Sequence, residues 1–124
     1  MKLTKNFNRE EFDCNDGTIV PKIYMENLME LAKNLQTLRD YLKTPVLITG
    51  SGYRTPKWNA KVKGANESQH LTASAADISV KTLTPRELAN KIEYLISVGA
   101  MKQGGIGVYK GFVHYDIRGT RARW

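Results

Sequence analysis

The sequence has few of the features that cross-link or anchor a small protein. Its 124 residues include one cysteine, Cys14, so neither an intrachain disulfide nor a CxxC metal site can form. No run of 18 apolar residues occurs, which excludes a membrane-spanning helix. The first residues, MKLTKNFNREEF, lack the apolar stretch of a secretory signal. We therefore expect a protein that is synthesised in the cytoplasm without a signal peptide.

Charge is in excess but is not clustered. The chain has 19 basic and 12 acidic residues, a net charge of +7, and no run of five or more basic residues. A positive surface favours polyanionic partners such as nucleic acid or an anionic cell wall. Because no nucleic-acid reader motif is present, nucleic acid is not expected as the partner. The length and the 41% of hydrophobic residues predict one domain, residues 1–124, with its own core.

Three helices are predicted from periodicity and end signals. Leucines recur at helical spacing within residues 22–43, and Pro45 follows the end of that helix. A short helix is predicted at 56–62. Residues 84–87, TPRE, form a capping box with proline at the first helical position, and Gly99 suits the end of this helix.

Strands account for the rest of the fold. PVLITG, residues 45–50, is predicted to be a short buried strand, and residues 76–80 alternate in polarity as a strand does. GGIGVY and FVHYDIRG predict two strands joined by a turn at Lys110–Gly111. The expected fold class is α+β, an antiparallel sheet with helices packed on one face.

Strand alternation brings three possible metal ligands together. Asp77 faces away from the core side of its strand, and His114 shares one strand face with Asp116. If the two strands are neighbours in register, Asp77 and His114 meet, and His70 reaches them from the preceding loop. Catalytic zinc uses three such ligands and keeps a fourth position open. The alternative is that each of these histidines is structural.

Two stretches resemble the M15 zinc peptidases, which include D-Ala-D-Ala carboxypeptidases and phage endolysins. They are SGYRTPKWNAKVKGANESQHLTASAADI and, nearer the end of the chain, GGIGVYKGFVHYDIRGTRARW. The resemblance runs from Phe7 to Trp124 and implies the hedgehog/DD-peptidase fold. It implies that His70, Asp77 and His114 bind one Zn²⁺ per chain. It further implies that Arg54 holds the developing oxyanion or a substrate carboxylate and that Ser68 contacts the substrate or supports a ligand.

The chain departs from this family pattern at two positions. Ala73 stands where the family usually has glycine, which costs about 1 kcal/mol if the position needs a positive φ. Gly111 stands where several members carry an acidic general base, three residues before the final histidine. Asp116 is then either the general base or a residue that orients a metal ligand, and Glu67 is a further candidate for the base.

The expected function is a zinc-dependent peptidase that hydrolyses peptide bonds in the peptide stems of bacterial peptidoglycan, as a carboxypeptidase or an endopeptidase. The missing signal suits a phage-type lytic enzyme that reaches the cell wall after release from the cytoplasm. Because hedgehog-type signalling domains share the implied fold, the alternative is a zinc- and wall-binding module without catalysis. A salt-sensitive nucleic-acid binder is the third hypothesis.

Overall fold

A computed structural model describes all 124 residues, Met1–Trp124, as an α+β fold with one five-stranded sheet. The helices are α1 (Met25–Leu42), α2 (Pro56–Lys61) and α3 (Pro85–Ser97). The strands are β1 (Leu47–Ile48), β2 (Ala75–Ser79), β3 (Gly105–Val108), β4 (Val113–Asp116) and β5 (Ala122–Arg123). Short 3₁₀ helices lie at Arg9–Phe12, Lys22–Tyr24 and Gln69–Thr72. None of the helices combines the length and apolar character needed to cross a bilayer.

The helices follow the sequence pattern closely. The leucine stripe of α1 is completely buried at its four central positions, Leu28, Leu31, Leu35 and Leu38. The capping box of α3 is formed, with the Thr84 amide donating to Glu87 Oε1 at 2.9 Å and the Glu87 amide donating to Thr84 Oγ1 at 3.2 Å. These contacts satisfy amides that a helix start leaves without partners, so local signals were sufficient to predict α3.

The sheet is mixed, with strand order β1-β2-β4-β3-β5. The pairs β1–β2, β2–β4 and β3–β4 are antiparallel, as expected, whereas β5 runs parallel to β3. The prediction of a buried strand over residues 45–50 was wrong in length and burial. β1 has two residues and lies at the edge of the sheet, where Leu47 remains 36% exposed. Whether a strand lies at the edge of a sheet depends on which other strands pair with it, and local composition does not indicate that pairing.

The two faces of the sheet have different compositions. One face belongs to the hydrophobic core, together with the buried residues of α1 and α3; its members are Ala76, Ile78, Ile106, Val113 and Tyr115. The other face carries polar groups and glycines. In the strand register, His114 of β4 lies between two partners, Asp77 on β2 and Gly107 on β3. The polar face is therefore where chemistry can occur.

Glycines on and beside β3 keep that face accessible. A Cβ at Gly104 would overlap the backbone carbonyl of Asp116, and a Cβ at Gly105 would overlap the Asp116 carboxylate. At Gly107 a Cβ would overlap the indole nitrogen of Trp124. The GGIG stretch therefore lets neighbouring groups lie directly against the β3 backbone.

We predict that Gly104→Ala lowers the free energy of unfolding by about 3 kcal/mol, because the added methyl meets backbone that cannot rotate away. Gly99→Ala is the matched control, since Gly99 has φ +77° and no atom near its added Cβ. Only conformational strain acts there, so we expect a loss of about 1 kcal/mol. Urea denaturation measures both; equal losses would contradict the steric explanation.

Candidate metal centre

Three side chains converge on the polar face of the sheet. Asp77 of β2 and His114 of β4 are register partners, and His70 comes from the 3₁₀ helix Gln69–Thr72. Asp77 Oδ1 lies 3.3 Å from His70 Nε2 and 3.6 Å from His114 Nδ1. The three ligand atoms lie within 4.8 Å of one another, and all three residues are buried. The structure thus brings together the three residues that the sequence predicted as metal ligands.

The backbone around His70 holds its ring in one orientation. His70 Nδ1 lies 2.7 Å from the carbonyl oxygen of Gly52 and must donate to it, because a carbonyl can only accept. The lone pair of Nε2 is therefore free on the side of Asp77. Ser68 caps this 3₁₀ helix, its Oγ accepting from the His70 amide at 3.2 Å. Ala73 ends the helix with φ 57°, so this position needs a positive φ, at a cost of about 1 kcal/mol for an alanine.

Asp116 holds the second imidazole. Its Oδ2 accepts from His114 Nε2 at 2.6 Å and from Arg118 Nη2 at 2.8 Å. Its Oδ1 accepts from Arg118 Nε at 2.9 Å and from the Gly105 amide at 2.9 Å. Asp116 is 0% exposed and does not line the cleft described below. Of the two roles predicted for Asp116, this geometry favours orientation of a metal ligand over action as the general base.

The charges at the centre stabilise ionised carboxylates. Burial alone would raise the pKa of Asp77, but the neighbouring His114 and His70 rings outweigh it and hold that pKa well below its usual range. The pKa of Asp116 is lowered in the same way, against burial, by hydrogen bonds from His114 and Arg118. Burial disfavours the imidazolium of His114, yet hydrogen bonds to Asp116 and Asp77 raise its pKa.

The donor set fits a divalent transition metal. Two imidazoles and one carboxylate supply three ligand atoms, and the second nitrogen of each imidazole is hydrogen-bonded to an oxygen acceptor. Protein metal sites use such acceptors to set the ring tautomer and orientation. The same contacts leave His70 Nε2, Asp77 Oδ1 and His114 Nδ1 directed at a common point.

Arg54 adjoins this centre. Its Nη2 lies 3.5 Å from Asp77 Oδ2, its Nε donates to Ser51 Oγ at 3.0 Å, and its Nη1 donates to Asn59 Oδ1 at 3.2 Å. Burial lowers its pKa and Asp77 opposes this shift, so the guanidinium stays charged. The sequence-predicted Arg54 and Ser68 therefore both lie beside the metal ligands.

A cleft of about 620 Å³ opens over the centre. Its polar side includes Arg54, Lys63, Glu67, Ser68 and Gln69, and its aromatic side is formed by Tyr109, Phe112 and Trp124. The aromatic side was not predicted from the sequence. Alternation along β3 could have found Tyr109, which continues the Gly105–Gly107 face. Trp124 had no such signal, because its place depends on the parallel pairing of β5.

We predict that Asp116→Asn lowers the free energy of unfolding by about 3 kcal/mol at neutral pH, because it breaks a buried charge pair. Glu93→Gln is the matched control: Glu93 makes a similar two-pronged pair with Arg123, but its side chain is 39% exposed. We expect less than about 1 kcal/mol there.

The difference in unfolding free energy between wild type and Asp116→Asn should depend on pH if it arises from the Asp116 charge. The pKa of Asp116 is lower in the folded protein than in the unfolded chain. The stabilisation that its carboxylate provides is therefore fully present above the unfolded-state pKa and is lost as the pH falls towards the folded-state pKa. The gap between wild type and Asp116→Asn should therefore narrow below about pH 4. Urea denaturation across pH measures this gap; a gap that stays constant down to about pH 2 would contradict the electrostatic explanation.

Comparison with known proteins agrees with this geometry. No curated protein matches the chain. The profile of the Peptidase M15 family matches residues 5–116, a span that contains α1 to α3, the three convergent side chains, Arg54 and Ser68. Members of this family are metal-dependent peptidases, and the His70, Asp77 and His114 donor set agrees with metal binding. The chain belongs to the Peptidase M15 family and is a metallopeptidase.

Proposed function

We propose that residues 1–124 act as one zinc peptidase domain that hydrolyses peptide bonds in bacterial peptidoglycan, as a D-Ala-D-Ala carboxypeptidase or a murein endopeptidase. The observation that carries this proposal is the convergence of His70, Asp77 and His114 on one point at the base of a cleft that also holds Arg54. The resemblance of the SGYR and FVHYDIRG stretches to wall-active members of the family supports the substrate class.

Zinc is the metal that suits this donor set best. His70 Nε2, Asp77 Oδ1 and His114 Nδ1 would hold it. Three nitrogen and oxygen ligands leave a further position for reactants, whereas magnesium binds imidazole poorly. Zn²⁺ in such a site supplies Lewis acidity towards a carbonyl oxygen and lowers the pKa of water.

The chain's own residues position and stabilise the substrate. Arg54 is held by Ser51, Asn59 and Asp77, so its planar cation is fixed before the substrate arrives. A pre-oriented guanidinium stabilises a developing oxyanion or a substrate carboxylate. Ser68, at the rim of the cleft, contacts the peptide backbone or keeps the His70 helix in place. Lys63 adds a second cation to the same side of the cleft.

Glu67 takes the role of proton acceptor in this proposal. Gly111, at the position of the family's usual acid, does not line the cleft. Both oxygens of Asp116 already accept hydrogen bonds from protein groups, so Asp116 acts as a positioning residue for His114. Among the residues that line the cleft, the only carboxylates belong to Asp77 and Glu67. Glu67 is exposed and is not one of the three convergent side chains, which leaves its carboxylate available.

A catalytically silent zinc- and wall-binding module is the second candidate function. The absence of an acid at Gly111 and the full occupation of Asp116 favour it, because a peptidase needs a group that moves the proton. Both candidates act on the cell wall, where the net charge of +7 promotes approach to an anionic polymer. We propose the same route for both: synthesis in the cytoplasm, followed by phage-type release to the wall.

We predict one Zn²⁺ per chain, with an affinity that falls as the pH is lowered from about 7.5 to about 5.5. The raised pKa of His114 means that zinc must displace a proton over this range. Isothermal titration calorimetry measures stoichiometry and affinity. His70→Ala and His114→Ala should abolish the binding, while Cys14→Ser, which removes the chain's one thiol, should not change it. Full binding by His114→Ala would refute this site.

We predict that the zinc-loaded protein releases new amino and carboxyl ends from purified peptidoglycan. His114→Ala should abolish release, and Glu67→Gln should lower the rate by about 100-fold or more, because it removes the proton acceptor. Mass spectrometry of structurally defined muropeptides reports both the activity and the bond that is cut.

Glu30→Gln provides the matched control, since Glu30 is exposed and pairs with Lys102 outside the cleft. Its rate should equal that of wild type. Release that is equal in wild type and His114→Ala would refute the enzyme. Zinc and wall binding without any release would establish the silent module, and a wild-type rate in Glu67→Gln would remove Glu67 as the acceptor.

A further inference from the structure

An aromatic wall of three residues, Tyr109, Phe112 and Trp124, closes one side of the cleft. The rings of Tyr109 and Phe112 are stacked, with centroids 4.7 Å apart and planes 8° apart. The Trp124 ring lies 4.9 Å from the ring of His114, and the Arg118 guanidinium lies 5.4 Å from the Trp124 ring. The wall therefore touches a proposed metal ligand directly and is not a distant surface patch.

The backbone sets the position of Trp124. Its amide donates to the carbonyl of Ile106 at 3.1 Å, and its carbonyl accepts from the amide of Val108 at 2.8 Å. These bonds continue the parallel pairing of β5 with β3 and place the indole over Gly107. Because Trp124 lies beyond residues 5–116, the family match says nothing about it.

Gly107 brings Tyr109 to the same place. A Cβ added at Gly107 would overlap Trp124 Nε1 and would lie 3.0 Å from Tyr109 Cε2, the ring carbon next to the one that bears the hydroxyl. Gly107 is the register partner of His114, and directly opposed residues have Cα atoms about 5 Å apart. The Tyr109 ring thus packs against the residue that lies one strand spacing from His114, one of the three convergent side chains.

The hydrogen bond between the two rings has a fixed direction. Trp124 Nε1 lies 2.6 Å from Tyr109 Oη. An indole N–H can only donate, so the tyrosine oxygen accepts and its own O–H remains available. No acceptor for that O–H exists within the protein, in contrast to buried Tyr115, whose hydroxyl donates to the Lys102 carbonyl at 2.7 Å. Tyr109 therefore presents an uncommitted neutral donor to the cleft.

Other donors at the centre are more constrained. Each of the three nitrogens of Arg54 already has a protein partner. The second nitrogens of His70 and His114 donate to Gly52 and Asp116. Arg54 keeps one further N–H on each of Nη1 and Nη2, so Tyr109 would supply a second, neutral donor from the aromatic side of the cleft. A donor that is held in place before the reaction stabilises developing negative charge with little reorganisation.

We propose that Tyr109 is a catalytic residue whose hydroxyl donates a hydrogen bond to the carbonyl oxygen of the scissile peptide as that oxygen gains negative charge. Trp124 is a positioning residue that orients the Tyr109 hydroxyl. This proposal rests on the proposed function for its substrate class, but the reacting group, a peptide carbonyl, requires only that the protein is a peptidase.

The test compares Tyr109→Phe, Trp124→Phe and Tyr94→Phe. Tyr109→Phe keeps the stacked ring and removes the hydroxyl; kcat should fall by about 100-fold with KM nearly unchanged, as for loss of a transition-state donor. Trp124→Phe keeps an aromatic ring and removes the orienting N–H, and should lower kcat by a smaller factor. Tyr94 is exposed on α3, outside the cleft, so Tyr94→Phe should behave as wild type.

The substrate is the peptide that wild type cleaves fastest among muropeptides and a mixed peptide library. Failure to cleave muropeptides would then remove the proposed substrate and leave the test of Tyr109 intact. A second readout does not need turnover. Calorimetry measures the affinity for a phosphinate analogue of the cleaved bond, or for a phosphinate analogue of D-Ala-D-Ala if nothing is cleaved. This affinity should weaken in Tyr109→Phe by about the same factor as kcat/KM.

Zinc content and the urea midpoint of each variant show whether the centre and the fold are retained. A Tyr109→Phe protein with kcat and phosphinate affinity within about threefold of wild type would overturn the catalytic role. An unchanged Trp124→Phe beside an impaired Tyr109→Phe would overturn the orienting role of Trp124. A higher KM with unchanged kcat in Tyr109→Phe would also overturn the proposal, because it would make Tyr109 a ground-state contact.

Discussion

The antiparallel register of β2 and β4 is the constraint on which the centre depends. It sets Asp77 opposite His114 and, one residue away on the other face, Ile78 opposite Val113. A slip by one residue would turn every side chain of a strand to the opposite face. If β2 moved, Asp77 would enter the hydrophobic core and Ile78 would face the cleft; if β4 moved, His114 and Val113 would exchange faces in the same way. Burial of the apolar face therefore fixes the geometry of the polar face.

The polar face is stable because nearly every charge on it has a partner. Asp116 is paired with Arg118 and His114, and Asp77 with Arg54 and both histidines. Buried charges are costly unless they are paired and hydrogen-bonded. The same contacts that reduce this cost also fix the ring tautomers, so protein stability and ligand orientation arise from one set of hydrogen bonds. The glycines of β3 make room for these hydrogen bonds, because they allow Asp116 and Trp124 to lie directly against the β3 backbone.

The cleft has two chemically distinct sides with the centre between them. Cations and hydrogen-bonding groups, including Arg54, Lys63 and Ser68, line one side, and the aromatic wall forms the other. Carboxylates are scarce in the cleft, and Glu67 alone is available beside Asp77. The proton acceptor that we propose is therefore a single exposed side chain.

Local signals in the sequence were sufficient wherever a short-range interaction decides the outcome. The leucine stripe predicted α1, the TPRE capping box predicted α3, and alternation predicted the hairpin of β3 and β4. Alternation together with the order of motifs also predicted that His70, Asp77 and His114 would meet. The two positions with the largest errors, β1 and β5, are short strands at the edges of the sheet. Edge strands carry little periodic pattern, and their pairing is set by the rest of the sheet.

The sequence by itself determined the fold class, the main elements and the identity of the candidate ligands, because these follow from periodicity and residue chemistry. Tertiary structure alone decided the surroundings of Asp116, since its burial and its five hydrogen-bond donors arise from β3, β4 and Arg118 together. It also decided that the Trp124 ring lies beside the ring of His114. Such placements depend on packing between distant segments, and packing between distant segments leaves no local pattern for a sequence to display.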